Sequence, residues 1–165
     1  MQHKVIDTND VVIRFAGDSG DGMQLTGTLF ADASALYGNE ISTFPDYPAE
    51  IRAPHGTVFG VSGFQVHVGT SGVTTPGDFA DALVAMNPAA LKANAKWAKP
   101  NATIIIDTDS FDEANIQRAG FKTDDPITEL KLEDRTIVAA AITSLTKESL
   151  KDSGLSLKDM ERCKN

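Results

Sequence analysis

The stretch Val11-Val12-Ile13-Arg14-Phe15-Ala16 runs directly into Gly17-Asp18-Ser19-Gly20-Asp21-Gly22, an apolar β-rich segment followed by three glycines in six residues. β-branched and aromatic residues favour a strand, and the glycines punctuate it with a turn. From Met23 to Tyr37 proline is absent, Leu25, Leu29, Ala33 and Leu36 recur at helical spacing, and Gly38 stands where a helix C-terminus favours glycine. The pattern predicts a strand, a glycine turn and a helix.

Outward from this unit the rhythm continues. Glu40 to Phe44 reads as a short strand running into Pro45-Asp46-Tyr47-Pro48, whose prolines mark an extended segment. Phe64, Val66 and Val68 alternate with Gln65 and His67 after Val58-Phe59-Gly60-Val61 and Gly63, which predicts antiparallel or edge structure. Ala82 to Met86 reads as a strand, with Asn87-Pro88 as cap and first residue of a helix to about Ala98. Thr103 to Asp107 is a buried strand, and Asp109-Ser110 opens a short helix ending by Gly120. Thr128 to Leu132 alternates like a strand, Thr136 to Leu145 reads as a helix, and Ser156 caps a last helix from Leu157 to Asn165. With no repeat or linker between these elements, the expectation is one α/β domain over residues 1–165.

Composition narrows the function. A chain of 165 residues buries roughly two-thirds of its unfolded surface, so it needs no metal or disulfide to hold it. Its single cysteine, Cys163, forms no internal disulfide and falls short of the four ligands an iron–sulfur cluster usually takes. Any redox centre must then come from another polypeptide. A formal charge of −8 argues against nucleic-acid recognition, which depends on clustered Lys and Arg, and reads as a solubility feature. The longest apolar run, Ile137 to Ile142, is too short to span a bilayer, and Met1 to Asp10 lacks an apolar stretch of signal-peptide length. The chain reads as cytoplasmic.

The loop Gly17 to Gly22 has two readings. A glycine turn before a helix can cradle an anion on unpaired N–H groups. Its spacing, however, is G-x-x-G-x-G, and no acid closes the second strand at Phe44, so it is not a dinucleotide fingerprint. Asp18 and Asp21 would oppose a phosphate and can satisfy the helix end themselves, which makes a self-capped structural turn the other reading. Ser19 sits in a Gly-Asp-Ser-Gly run that resembles a serine-protease nucleophile, but His3, His55 and His67 supply no positioned base and no G-x-S-x-G elbow exists. Gly20-Asp21-Gly22 resembles the start of a thiamine-diphosphate motif, yet Asn39 falls too near and Asn87 too far to complete it.

Arg52, within Tyr47-Pro48-Ala49-Glu50-Ile51-Arg52-Ala53-Pro54, is the leading single polar candidate, since a guanidinium suits bidentate carboxylate or phosphate contact. An ion pair with Glu50 or a contact to a neighbouring subunit is the simpler account of it. His55 and His67 show no metal-ligand spacing and read as surface or strand-pairing residues. Packing explains Met86 and Trp97. Asp107 and Asp109 end an apolar strand, where α/β sheets often present ligand-facing side chains, although an ordinary loop accounts for them as well.

Arg14 to Gly27, followed by Tyr47-Pro48-Ala49-Glu50-Ile51-Arg52, Gly63-Phe64-Gln65-Val66 and Asp81 to Asn87, resembles the gamma domain of 2-oxoacid:ferredoxin oxidoreductases, nearest to the 2-oxoglutarate branch. The resemblance covers essentially the whole chain. It implies a three-layer α/β fold, a mostly parallel or mixed sheet with flanking helices, at the N-terminus of an alpha subunit. The complex it implies converts a 2-oxoacid and coenzyme A to acyl-CoA and CO2 while reducing ferredoxin. Thiamine diphosphate, magnesium and iron–sulfur clusters belong to other domains of such complexes. The implied partners are the rest of the alpha subunit, the beta subunit and ferredoxin. By the same resemblance, Gly17, Asp18, Ser19, Gly20, Asp21, Gly22 and Arg52 are coenzyme-A-proximal or interface candidates, with no catalytic residue in this chain. The last helix continues in similar proteins, so the chain reads as truncated. The alternative function is a free-standing nucleotide or coenzyme A binding module.

Overall fold

Side chains along β1 (Asp10–Asp18) alternate between two covered faces: Val12, Arg14 and Ala16 point one way and Phe15 the other, and all four are buried. A strand buried on both sides belongs in the middle of a sheet. The computed structural model describes residues 8–18, 21–47 and 60–163. Within them, β1 lies inside a six-stranded sheet of order β2-β3-β1-β4-β5-β6. The other strands are β2 (Glu40–Asp46), β3 (Val61–Gly69), β4 (Ala80–Ala85), β5 (Ala98–Asp107) and β6 (Thr136–Ala140). β3 runs antiparallel to both neighbours, and every other pairing is parallel, so the sheet is mixed.

Among the described residues six α-helices accompany it: α1 (Met23–Leu36), α2 (Pro88–Asn94), α3 (Glu113–Arg118), α4 (Pro126–Glu129), α5 (Ile142–Leu150) and α6 (Leu157–Arg162). The chain leaves β1 through α1 toward β2 and leaves β4 through α2 toward β5, in opposite directions along the sheet. Right-handed crossovers of opposite direction put their helices on opposite faces. Phe15, Met23, Ala31, Phe64, Val66 and Met86 form the core on the α1 side. Ala16, Leu83, Leu91, Ile104, Ile106 and Leu132 form the core on the α2 side. This is the three-layer α/β arrangement expected.

The face that α1 buries differs from what its leucines suggest. Met23, Gly27 and Ala31 turn to the sheet, while Leu25, Leu29, Ala33 and Leu36 face outward. Close approach explains the choice. A Cβ on Gly27 would stand 2.2 Å from Cδ1 of Phe64, so the helix backbone rests on that ring where only a glycine fits.

Two further elements depart from the sequence reading. Thr128 to Leu132 does not form a strand, because Asp125-Pro126 starts a helix there. The Asp125 carboxylate accepts from the N–H of Ile127 (3.0 Å) and Thr128 (3.2 Å) and from the Thr128 hydroxyl (2.7 Å). That hydroxyl is the main reason its carboxyl titrates below the ordinary value. Thr136 to Leu145 is split, its first half pairing in parallel with β5 as β6 and its second half opening α5. The pairing sets Ile137 beside Ile104, whose burial outweighs the helical pattern.

The break falls where Asp107 reaches across. This carboxylate is fully buried and accepts from the Ile142 N–H (2.9 Å) and the Thr143 hydroxyl (2.8 Å), fastening the end of β5 to the start of α5. Asp109 repeats the contact outside, accepting from the N–H (2.6 Å) and hydroxyl (2.9 Å) of Ser144. These two acids are structural ties. β3, expected as antiparallel or edge, is antiparallel and interior. Trp97 ends a short 3-10 turn, and Ser156 caps α6 through the Asp159 N–H (3.2 Å) as expected.

Substitution of Gly27 by alanine should lower stability by about 1–3 kcal/mol in urea unfolding, although alanine favours a helix by about 1 kcal/mol. A gain in stability would mean that the Phe64 contact is loose. Asp107→Ala should cost about 2–3 kcal/mol, since it strands buried N–H and hydroxyl donors at once. Asp109→Ala should cost clearly less, in the same measurement.

Candidate functional site

In an open α/β sheet, ligands bind beyond the carboxyl ends of the strands, where neighbouring connections leave toward opposite faces. β1 and β4 are such a pair here. The loop after β1 leads to α1, and the loop after β4 leads to α2, so Gly17, Asp18, Asp21, Gly22 and Asn87 meet at one end of the sheet.

Hydrogen bonds within this group tie the turn to itself. The Asp18 N–H donates to Oδ2 of Asp21 (2.9 Å), and the Asp21 N–H donates back to the Asp18 carbonyl (2.9 Å). The Asn87 amide donates to Oδ1 of Asp18 (2.9 Å) while its own oxygen accepts from the Ala90 N–H (2.8 Å), capping α2. Asp18 thus links the start of α2 to the end of β1. Gly22 takes the left-handed conformation at φ 73° and begins α1 without a side-chain cap. A Cβ at Gly17 would press on Met23 (3.0 Å) and Asp21 (3.1 Å), so the glycine lets the turn fold over itself. The turn is therefore tied to itself through Asp18 and Asp21. Ser19, Gly20 and Arg52, with His3 and His55, lie outside the described residues.

A second polar centre lies on the α2 face of the sheet. Arg14 is only 5% exposed, and its guanidinium donates to Asn94 Oδ1 (2.7 Å), Gln65 Oε1 (3.2 Å) and the Asp46 carboxylate. It also lies 5.9 Å from the centre of the Trp97 ring. A cavity of about 260 Å³ opens above it, walled by Phe44, Trp97, Pro76 and Asp78. Gln65 adds two bonds to the carbonyls of Pro76 (2.9 Å) and Gly77 (2.6 Å), which hold the 70–79 connection over the sheet. Sequence reasoning favours Arg52 and passes over Arg14. The available signal is an arginine inside the apolar run Val11 to Ala16, where a charge must find partners to be buried.

His67 holds the same connection one residue earlier, at Thr75. One ring nitrogen lies 2.6 Å from the Thr75 carbonyl and the other 2.9 Å from the Asp10 carboxylate, so both face acceptors and the protonated ring satisfies both. Its pKa lies above 6.5, raised first by the Thr75 carbonyl and then by Asp10, with burial and Lys99 opposing. The sequence suggests a surface or strand-pairing residue, and the side chain ties the connection at Thr75 to Asp10 of β1. Among the described residues no three His, Cys, Asp or Glu side chains gather as metal ligands. Among them, too, no helix is long and apolar enough to cross a membrane.

A folded-state pKa above the unfolded one means that His67 stabilises the fold fully below about pH 6.5 and that this contribution is lost as pH rises through the folded value. Urea midpoints measured from pH 6 to pH 9 should therefore fall further in the wild type than in His67→Gln. Parallel curves would show that the two contacts do not favour the charged ring.

Comparison with known proteins follows this geometry. The family model for pyruvate ferredoxin/flavodoxin oxidoreductase matches residues 12–165. The 2-oxoglutarate oxidoreductase subunit KorA of Mycobacterium tuberculosis is 48% identical over 156 residues, covering 94% of this chain and 24% of that protein. The chain thus spans about a quarter of that relative's length. A 2-oxoglutarate:ferredoxin oxidoreductase of Magnetococcus marinus, solved with 2-oxoglutarate, coenzyme A and succinyl-CoA bound, superposes with a TM-score of 0.65 at 25% identity, over 94% of this chain and 23% of that one. The gamma subunit of a keto/oxoacid ferredoxin oxidoreductase from Geobacter sulfurreducens shares the fold at a TM-score of 0.59 and 22% identity, over 85% of this chain and 66% of that one. With a family model spanning nearly every residue and a relative almost half identical, the chain belongs to the pyruvate ferredoxin/flavodoxin oxidoreductase family.

Proposed function

We propose that this chain is the gamma-type, non-catalytic domain of a 2-oxoglutarate:ferredoxin oxidoreductase. The assembled complex converts the 2-oxoacid and coenzyme A to acyl-CoA and CO2 and passes two electrons to ferredoxin. The observation that carries this reading is the 48% identity to a 2-oxoglutarate oxidoreductase subunit along 94% of the chain. The chemistry of the residues agrees with it. One cysteine cannot supply a cluster's four thiolates, and neither Asn39 nor Asn87 falls at the spacing that would complete a thiamine-diphosphate motif begun at Gly20-Asp21-Gly22. Neither an iron–sulfur cluster nor thiamine diphosphate with magnesium fits this chain, so those groups, and the bond-breaking step, belong to the rest of the alpha subunit and to the beta subunit.

What the domain itself offers is a rigid corner at the β1/β4 end, with the helix end at Gly22 available to an anionic ligand such as a coenzyme A phosphate. Arg52 stands five residues beyond Tyr47, where β2 has just ended, and is the companion candidate for that contact. A free-standing nucleotide or coenzyme A module is the second reading, and the family membership does not favour it.

Isolation of the complex through a tag on this chain tests the proposal. The preparation should reduce a viologen dye only when 2-oxoglutarate and coenzyme A are both present, and the 165-residue chain by itself should reduce none. Turnover by the chain alone, or a tagged preparation with no 2-oxoacid-dependent reduction, would overturn the reading. Arg52→Ala should raise the KM for coenzyme A several-fold while leaving the KM for the 2-oxoacid unchanged.

A further inference from the structure

Residues 70–79, which join β3 to β4, cross the α2 face of the sheet without forming helix or strand. Thr70 opens the segment by donating its N–H to the Asn9 carbonyl (3.0 Å). Among the described residues, no backbone group from Ser71 to Asp78 bonds to other backbone. Side chains of the sheet hold the segment instead. Glu40 of β2 accepts from the Val73 N–H (2.9 Å), and Nδ1 of His67 on β3 meets the Thr75 carbonyl (2.6 Å). Gln65 of β3 donates to the carbonyls of Pro76 (2.9 Å) and Gly77 (2.6 Å). A segment fastened by so few bonds opens at a smaller free energy than the strands beneath it.

In its closed position the segment walls a cavity. Pro76, Gly77 and Asp78 stand with Phe44 and Trp97 around the space of about 260 Å³ above Arg14. Gln65 serves both, since its oxygen accepts from the Arg14 guanidinium (3.2 Å) while its amide holds the segment. Opening therefore uncovers a guanidinium that is otherwise 5% exposed.

The His67 tie is the one that depends on a proton exchanged near neutral pH. A neutral imidazole has one N–H and one bare nitrogen, yet this ring faces an acceptor at each. The Asp10 carboxylate is the stronger acceptor, so the neutral ring keeps its proton on that side and turns a lone pair to the Thr75 carbonyl. The other charges around the ring come from every neighbouring element. Lys99 of β5 opposes its charge and is itself paired with both oxygens of Asp81 on β4 (2.8 Å each). Glu40 lies on β2, Asp78 on the segment, and the Arg14–Asp46 pair at the cavity. Their sum leaves the ring charged at a higher pH than a free histidine, with the Thr75 carbonyl as the first cause.

We propose that residues 70–79 are a strap closed over the Arg14 cavity and latched by the doubly hydrogen-bonded His67 ring, which releases it on giving up its proton. Hydrogen exchange of the Val73 amide in the purified chain tests this, each rate being divided by that of the unstructured peptide at the same pH. At pH 6 Val73 should be protected about tenfold or more less than Ile104 and Ile105 of β5, which marks opening without unfolding. Between pH 6 and pH 8.5 its protection should fall several-fold in the wild type. It should stay level in His67→Gln, whose amide donates to Thr75 at every pH. Asp10→Asn, a change at a largely exposed side chain, should flatten the profile as well, because its amide donates to the bare ring nitrogen and leaves the ring N–H to Thr75. His3 and His55 titrate over the same range and stay in place in both variants. Val73 protected as well as β5, or an equal fall in the wild type and both variants, would overturn the latch.

Discussion

A twisted sheet of parallel strands has two apolar faces, and both must be kept from water. That constraint organises this chain. β1 alternates Val12, Arg14 and Ala16 against Phe15, and the chain sends α1 to one side and α2 to the other to cover them. The covering is uneven. Gly27 lets α1 settle directly on Phe64, which seals β3 and β1 tightly but leaves the helix standing away from β4, β5 and β6. On the α1 side the outward leucines of that helix, Leu25, Leu29 and Leu36, stay exposed, and at the β6 edge Val138 is 41% exposed.

The same division separates structure from function. Polar groups act as fasteners: in the interior Asp107 ties β5 to α5 and Arg14 gathers β1, β2 and β3 around a residue of α2, while at the exposed end of the sheet Asp18 joins the ends of β1 and β4 through Asn87. Asp107 and Arg14 are hydrogen-bonded within the chain, as buried polar groups are. Among the residues left facing outward are Leu25, Leu29 and Leu36 of α1, and the chain belongs to a family whose relatives include long oxidoreductase subunits.

Much of this was legible in the sequence. The β1-turn-α1 unit, the antiparallel β3, the Asn87-Pro88 start of α2 and the apolar β5 all follow from local pattern, because each is specified by residues within a few positions of one another. What escaped local reading is set at a distance. Thr136 to Ala140 becomes a strand because β5 offers an open edge, and the outward turn of Leu25 and Leu29 follows from a glycine contact with Phe64, far along the chain. At the candidate site, a turn involving Asp18 and Asp21 could be read, but its tie to Asn87 could not, since 69 residues separate the partners. Arg14 was hidden for the same reason, its acceptors lying on β2, β3 and α2.

The central claim is that this chain is the non-catalytic domain of a larger 2-oxoacid oxidoreductase and carries no redox group of its own. Iron and thiamine diphosphate analysis of the purified chain and of the assembled oxidoreductase measures that directly. Both groups should be present in the complex and neither in the chain alone. Stoichiometric iron or thiamine diphosphate on the isolated chain would contradict the account.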